Sequence, residues 1–201
     1  MIVMWKRVLS VSVVLILVVI LIVTNFTNIG IDQSEPNIID VTDDTSVDGV
    51  GITAPNVKQL QAGDKAPNFR LPDLSGSEVE AFDVEQDYIL LNFWATWCKP
   101  CLDEMPDLQT FEHENRDTVK VIAVNTTNTE SSIAKVKEFV NEGDFQFTVL
   151  LDEDDTVYDH YSIIGMPTSF IIRTSDQKVM KRINGAMSLE QMQDHLKEIQ
   201  S

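Results

Sequence analysis

Cysteine is nearly absent: Cys98 and Cys101 are the only two in 201 residues. Neither has a distant partner. A bridge between them would close a loop too short to act as a staple, because disulfide stabilisation grows with the length of chain enclosed. A structural disulfide framework is therefore excluded, and redox chemistry or metal binding is left for the pair. Metal is disfavoured in turn. Two thiolates do not complete the four-ligand shell of a structural zinc. There is no second Cys-x-x-Cys, and His113, His160 and His195 are scattered without His-x₃-His spacing and read as surface residues. No metal site and no cofactor are expected.

Positive charge is scarce as well, with 15 basic against 32 acidic residues and a net charge of −17. Beyond Val23 the balance is 13 basic to 32 acidic residues, a net of −19. A chain this acidic is a poor match for a phosphate backbone, so nucleic acid is disfavoured as a partner. The acidity reads mainly as solubility and leaves room for a basic protein partner. Internal repeats and low-complexity tracts are also lacking, apart from an acidic bias before the main domain.

What the N-terminus has is a long apolar run. Lys6 and Arg7 precede Val8 to Val23, in which only Ser10 and Ser12 are polar. The residues that follow, Thr24 to Ile29, offer no pair of small residues for cleavage and no cysteine to accept a lipid, so an uncleaved anchor is favoured over a secretory signal. Met1 to Trp5 and Phe26 extend the run toward the roughly 20 residues of a spanning helix, and Lys6 and Arg7 can snorkel. Basic residues on the short side place the N-terminus in the cytoplasm and the rest outside the cell membrane. The expected organisation is a cytoplasmic stub and signal anchor over 1–27, an acidic flexible tether over 28–62 and one domain over 63–201.

Within the domain, short apolar runs alternate with amphipathic stretches. Tyr88 to Trp94 and Val119 to Val124 read as buried strands. Between them Leu102, Met105, Leu108 and Phe111 recur at helical spacing, with Pro106 expected to kink the helix. A second helix is predicted over Ser131 to Asn141, and strands over Phe147 to Leu151, Thr168 to Arg173 and Lys178 to Asn184. A last helix is opened by Ser188 as N-cap with Gln191 at the capping-box position. This order indicates an α/β sheet, mostly parallel with an antiparallel end.

Placed between the strand ending at Trp94 and the next helix, Cys98 sits near a helix N-terminus. Unpaired amides and the helix dipole stabilise a thiolate there, and Lys99 adds to the effect. Cys98 reads as the nucleophile. Cys101, one turn further and facing away from most solvent, reads as the resolving thiol that releases a reduced substrate from a mixed disulfide. Pro100 fits the backbone of a first helical turn.

Three segments carry a resemblance: Ala66-Pro67-Asn68-Phe69-Arg70-Leu71, the run Asn92-Phe93-Trp94-Ala95-Thr96-Trp97-Cys98-Lys99-Pro100-Cys101-Leu102-Asp103-Glu104-Met105-Pro106, and Gly165-Met166-Pro167-Thr168-Ser169-Phe170. Over about Gly63 to Gln200 the chain resembles the bacterial extracytoplasmic thioredoxin-like proteins of the TlpA and ResA group. That resemblance implies a thioredoxin-like fold, with a central mixed sheet flanked by helices. It implies a redox-active disulfide between Cys98 and Cys101, and a Glu104 close enough to influence their protonation rather than the solvated glutamate that is the default for the residue type. It further implies a cis bond before Pro167, against a base rate of about 5–6% for X-Pro bonds. Met166 and Pro167 would face the cysteines and, with Trp97, Lys99 and Pro100, meet the substrate. Trp97 reads equally as a shield over the cysteines, and Trp94 as packing.

The activity so implied is thiol-disulfide exchange that reduces disulfides in apocytochrome c or other cell-envelope proteins. Its partners would be a disulfide-containing protein substrate and a transmembrane electron-donor protein. Two alternatives stay open. Ala66 to Phe69 also resembles peroxiredoxin-like chains, although a Thr-x-x-Cys surround is lacking, and the thiols would also suit a copper or haem delivery module, although copper carriers of related fold use wider cysteine spacing and a distal histidine.

Overall fold

The computed structural model describes residues 59–201; the anchor and most of the tether expected from the sequence lie outside them. Among the described residues no helix is long and apolar enough to cross a membrane.

A hairpin of β1 (Arg70–Pro72) and β2 (Glu78–Glu80) comes first, followed by β3 (Tyr88–Trp94), α1 (Lys99–Asn115), β4 (Val119–Asn125), a 3-10 turn (Thr127–Thr129), α2 (Ile133–Glu142), β5 (Thr148–Leu151), α3 (Thr156–His160), β6 (Thr168–Arg173), β7 (Lys178–Asn184) and α4 (Leu189–Gln200). The five-stranded sheet has the order β5-β4-β3-β6-β7. β3 pairs parallel with β4, and β4 with β5, while β3–β6 and β6–β7 are antiparallel. The sheet is thus evenly mixed rather than mostly parallel, because β6 returns beside β3 and carries its hairpin partner with it.

Period-two alternation divides the core into two faces. Leu90 and Trp94 of β3, Val121 and Ala123 of β4 and Ile171 of β6 pack with Met105, Leu108 and Phe111 of α1 and Met192 and Leu196 of α4. Ile89, Leu91 and Phe93, Ile122 and Val124, and Phe170 and Ile172 pack on the opposite face with Val157 and Tyr161. Strands apolar on both faces are those that must be covered on both sides.

All five strands and three helices expected from the sequence are present, and α4 carries the capping box, with Ser188 Oγ accepting from the Gln191 amide and Gln191 Oε1 accepting from the Ser188 amide. Pro106 lies inside α1 without ending it. The hairpin was not anticipated. Its turn is organised by Asp73, whose carboxylate accepts from the Ser75 and Ser77 amides, and by Gly76 at φ +88°, a region that glycine enters without steric cost.

Tyr161 ties the start of the domain to its core. It is fully buried, and its hydroxyl donates to the Pro67 carbonyl at 2.7 Å. Tyr161→Phe removes that part-buried bond, so a loss of about 1 kcal/mol is expected. Chemical denaturation monitored by circular dichroism measures it; an unchanged midpoint would refute this role for the bond.

Candidate active site

β3 delivers the chain to the end of the sheet at Trp94, and α1 begins five residues later. Cys98 is the N-cap residue, with extended backbone (φ −88°, ψ 93°), and Pro100 lies in the first turn of α1. The Cys98 amide donates to the Ala95 carbonyl at 3.1 Å, and the Cys98 carbonyl accepts from the Leu102 amide at 3.1 Å. This places the sulfur at the positive end of the helix, as expected. Cys98 and Cys101 are joined in a disulfide with Cα atoms 5.3 Å apart.

Cys98 is less open than its position in the sequence suggests: it is 6% exposed, and Cys101 is fully buried. The disulfide turns the Cys98 side chain inward onto Cys101, and the exposure passes to its neighbour Trp97, which is 59% exposed. Lys99 does not lend a free charge to the cysteines. Its ammonium lies 2.8 Å from the Asp103 carboxylate one turn along α1, and both side chains are largely solvated, so the pair contributes little to stability.

The loop before β6 reaches the apolar cluster that holds the two cysteines. The Met166–Pro167 peptide bond is cis, Pro167 is buried, and Met166 packs against the cluster that contains both cysteines. The Met166 sulfur accepts from Thr126 Oγ at 3.5 Å. Trp97 is held in the same crosswise manner, its indole N–H donating to Thr129 Oγ at 3.0 Å. Glu130 ties the cysteine loop to β4, accepting from the Thr96 amide at 2.6 Å, from the Thr96 hydroxyl and from Asn125 Nδ2 at 2.9 Å.

Glu104 is not a surface residue. It is 2% exposed on the inner face of α1, three positions beyond Cys101. One carboxylate oxygen accepts from Asn92 Nδ2 at 2.5 Å and the other from the Met187 amide at 2.8 Å. Asn92 belongs to β3, and its Nδ2 also donates to Ser169 Oγ at 2.9 Å on the paired strand β6. Met187 shares the apolar cluster of the two cysteines. Burial pushes the Glu104 carboxyl up to about 7, against the pull of the Met187 and Asn92 hydrogen bonds, and Asp107 pushes the same way as burial. A carboxyl so placed is able to hold or release a proton near neutral pH.

Asn92, Ser169, Met187, Thr126 and Glu130 carry this arrangement, yet no role was assigned to them from sequence. Asn92 did leave a signal, being the one polar residue inside the run Tyr-Ile-Leu-Leu-Asn-Phe-Trp. Among the described side chains, Asn92 Oδ1 is a buried oxygen without a hydrogen-bond partner.

The arrangement has relatives. The profile of the AhpC/TSA family matches residues 62–181. The thiol-disulfide oxidoreductase ResA of Bacillus thuringiensis subsp. konkukian is 36% identical over 143 residues, which is 71% of this chain and 80% of the relative. The thioredoxin-like protein YneN of Bacillus subtilis is 37% identical over 138 residues, 68% of this chain and 79% of the relative. Among solved structures, StoA from Bacillus subtilis superposes with a TM-score of 0.58 at 30% identity, covering 68% of this chain and 98% of StoA. The fold is accordingly thioredoxin-like, with a mixed central sheet. On sequence identity, on fold and on the Cys98–Cys101 disulfide at the head of α1, this chain belongs to the AhpC/TSA family and, within it, to the ResA-like thiol-disulfide oxidoreductases.

Proposed function

We propose that the protein is a membrane-anchored, extracytoplasmic reductase of protein disulfides, acting on apocytochrome c or other cell-envelope proteins. The observation that carries this reading is the Cys98–Cys101 disulfide capping α1 with a buried carboxyl near neutral pKa one turn below it. In the reduced protein the Cys98 thiolate attacks a substrate disulfide and forms a mixed disulfide, and one substrate sulfur leaves as thiolate. Cys101 then attacks Cys98 Sγ, the second substrate sulfur leaves, and the protein is oxidised by two electrons. Glu104 takes the proton from Cys101 in that second step. Trp97, Lys99, Pro100, Met166 and Pro167 form the surface that meets the substrate. A transmembrane electron-donor protein resets the dithiol.

The arrangement of the chain belongs to the same proposal: residues 1–27 hold the protein in the membrane with the N-terminus in the cytoplasm, 28–62 form the tether and 63–201 the catalytic domain. The apolar run after Lys6 and Arg7 supports it.

Trapping in cells tests the function. A full-length Cys101→Ser protein is expected to accumulate mixed disulfides with its substrates, seen as thiol-sensitive bands on non-reducing gels and identified by mass spectrometry. Absence of any adduct that depends on Cys98, in cells where the protein is expressed and folded, would defeat the proposal. Rapid stoichiometric turnover of peroxide by the reduced protein would move it to the thiol peroxidase alternative.

A further inference from the structure

The face of α2 beside the cysteine loop takes no part in the exchange described above. Lys135, Glu138, Phe139 and Glu142 recur along it with i, i+3, i+4 and i+7 spacing, which puts them on one side of a helix. With Trp97 and Glu130 they line an open groove of about 490 Å³. Trp97 is one of two large apolar side chains exposed among the described residues, and its ring is held by the bond to Thr129 rather than left to swing. The Glu130 carboxylate is occupied by Thr96 and Asn125. Glu138 and Glu142 are exposed and in no ion pair among the described residues. Three carboxylates against Lys135 leave the lining with a net negative charge.

We propose that this groove receives a Lys- or Arg-bearing segment of the substrate polypeptide, flanking the cysteine that bonds to Cys98. The basic side chain lies over the Trp97 ring, where a cation is attracted to the aromatic face, with Glu138 and Glu142 beside it. The groove starts at Thr96 and Trp97, immediately before Cys98. An extended chain advances roughly 3.3–3.6 Å per residue, so substrate residues a few positions from the mixed disulfide reach it. The inference rests on the exchange reading and adds a substrate preference to it. It accounts for an exposed, fixed indole flanked by carboxylates on the rim of a redox site.

The test uses the full-length protein in a non-ionic detergent and two disulfide-bridged peptides of equal length, one with lysines and one with glutamines at the positions beyond the cysteine. The ratio of kcat/KM, basic over neutral, is expected to be about ten and to be expressed in KM, from one cation–π contact and two exposed ion pairs. In the Glu138→Gln/Glu142→Gln double variant, and at 1 M salt, where the screening length falls to about 3 Å, the ratio is expected to fall to about two to four, the share left to the cation–π contact with Trp97. Calorimetric binding of the same peptides in S-methylated form reads the groove without any exchange. Equal binding and equal KM for the two peptides, or a preference undiminished in the double variant, would overturn the inference. Failure to exchange with either peptide, while the methylated basic peptide still binds preferentially, would instead count against the catalytic reading and leave the groove supported.

Discussion

Cys98→Ala is expected to reduce disulfide exchange to the background rate, whereas Cys101→Ala is expected to leave the first chemical step intact and arrest the second. The asymmetry follows from where α1 places the two sulfurs. Cys98 is the N-cap residue and retains some exposure; Cys101 is enclosed among apolar side chains and fully buried. Only the first is placed to meet a sulfur arriving from outside, and the helix N-terminus favours its thiolate. Without Cys98 no mixed disulfide forms. Without Cys101 the mixed disulfide forms and has no internal thiol to resolve it, so one equivalent of substrate remains bound. Stopped-flow assay with a peptide disulfide, combined with intact-mass measurement, separates the two cases: no adduct for Cys98→Ala, one adduct per chain for Cys101→Ala. Normal turnover by Cys101→Ala would show that the two-thiol cycle is wrong.

The second large effect concerns pH. The Glu104 carboxyl in the oxidised protein is held at about 7, chiefly by burial, from an ordinary value of 4.5. Between those values the unfolded chain ionises while the folded one keeps its proton. The stability associated with the neutral carboxyl is thus complete below about pH 4.5 and is lost as pH rises through 7. At about 1.36 kcal/mol per unit, the loss from this one group comes to about 3–4 kcal/mol above neutrality. In Glu104→Gln the group no longer titrates, and the variant is expected to be more stable than the parent at pH 8 and to lose that advantage near pH 5. Urea midpoints for both proteins at the two values measure it. Parallel pH profiles would show that Glu104 is not the group responsible.

Asn92 makes the glutamine substitution structurally tolerable. Its Oδ1 is buried without a partner while its Nδ2 faces Glu104 and Ser169. A half-turn of that amide presents an acceptor to the new Gln amide or to a protonated Glu104, and the Ser169 hydroxyl can reverse to suit. In the reduced protein the same substitution removes a negative charge near the thiols and is expected to shift the pH dependence of cysteine alkylation downward.

The elements most legible in the sequence were those with long or repeated signals. β3 and β4 are seven-residue strands built mostly of apolar residues, β6 and β7 are separated by an obvious turn, and α4 announces itself by its capping box. β1 and β2 are three residues each, too short for alternation to register, and α3 is a five-residue helix entered from the polar stretch Asp152 to Asp155. The cysteine chemistry was readable because spacing and the following helix determine it locally. Burial of Glu104 was not readable from residue type, which points to solvent, and came only through resemblance. Its partners were beyond reach of any local pattern: Ser169 meets Asn92 across 77 positions and Met187 meets Glu104 across 83.

That last separation also sets an order of events. The carboxylates of Glu104 and Asp107 are engaged by the amides of Met187 and Leu189, at the entrance of α4. A ribosome delivers the cysteine pair long before it delivers those amides. An emerging chain therefore carries two thiols beside an unplaced carboxylate, and the hydrogen-bonded setting of the carboxyl proposed to handle the proton comes into being only when α4 docks against α1. Maturation of the redox centre is in this sense a late tertiary event, tied to a helix that contributes no residue to the chemistry.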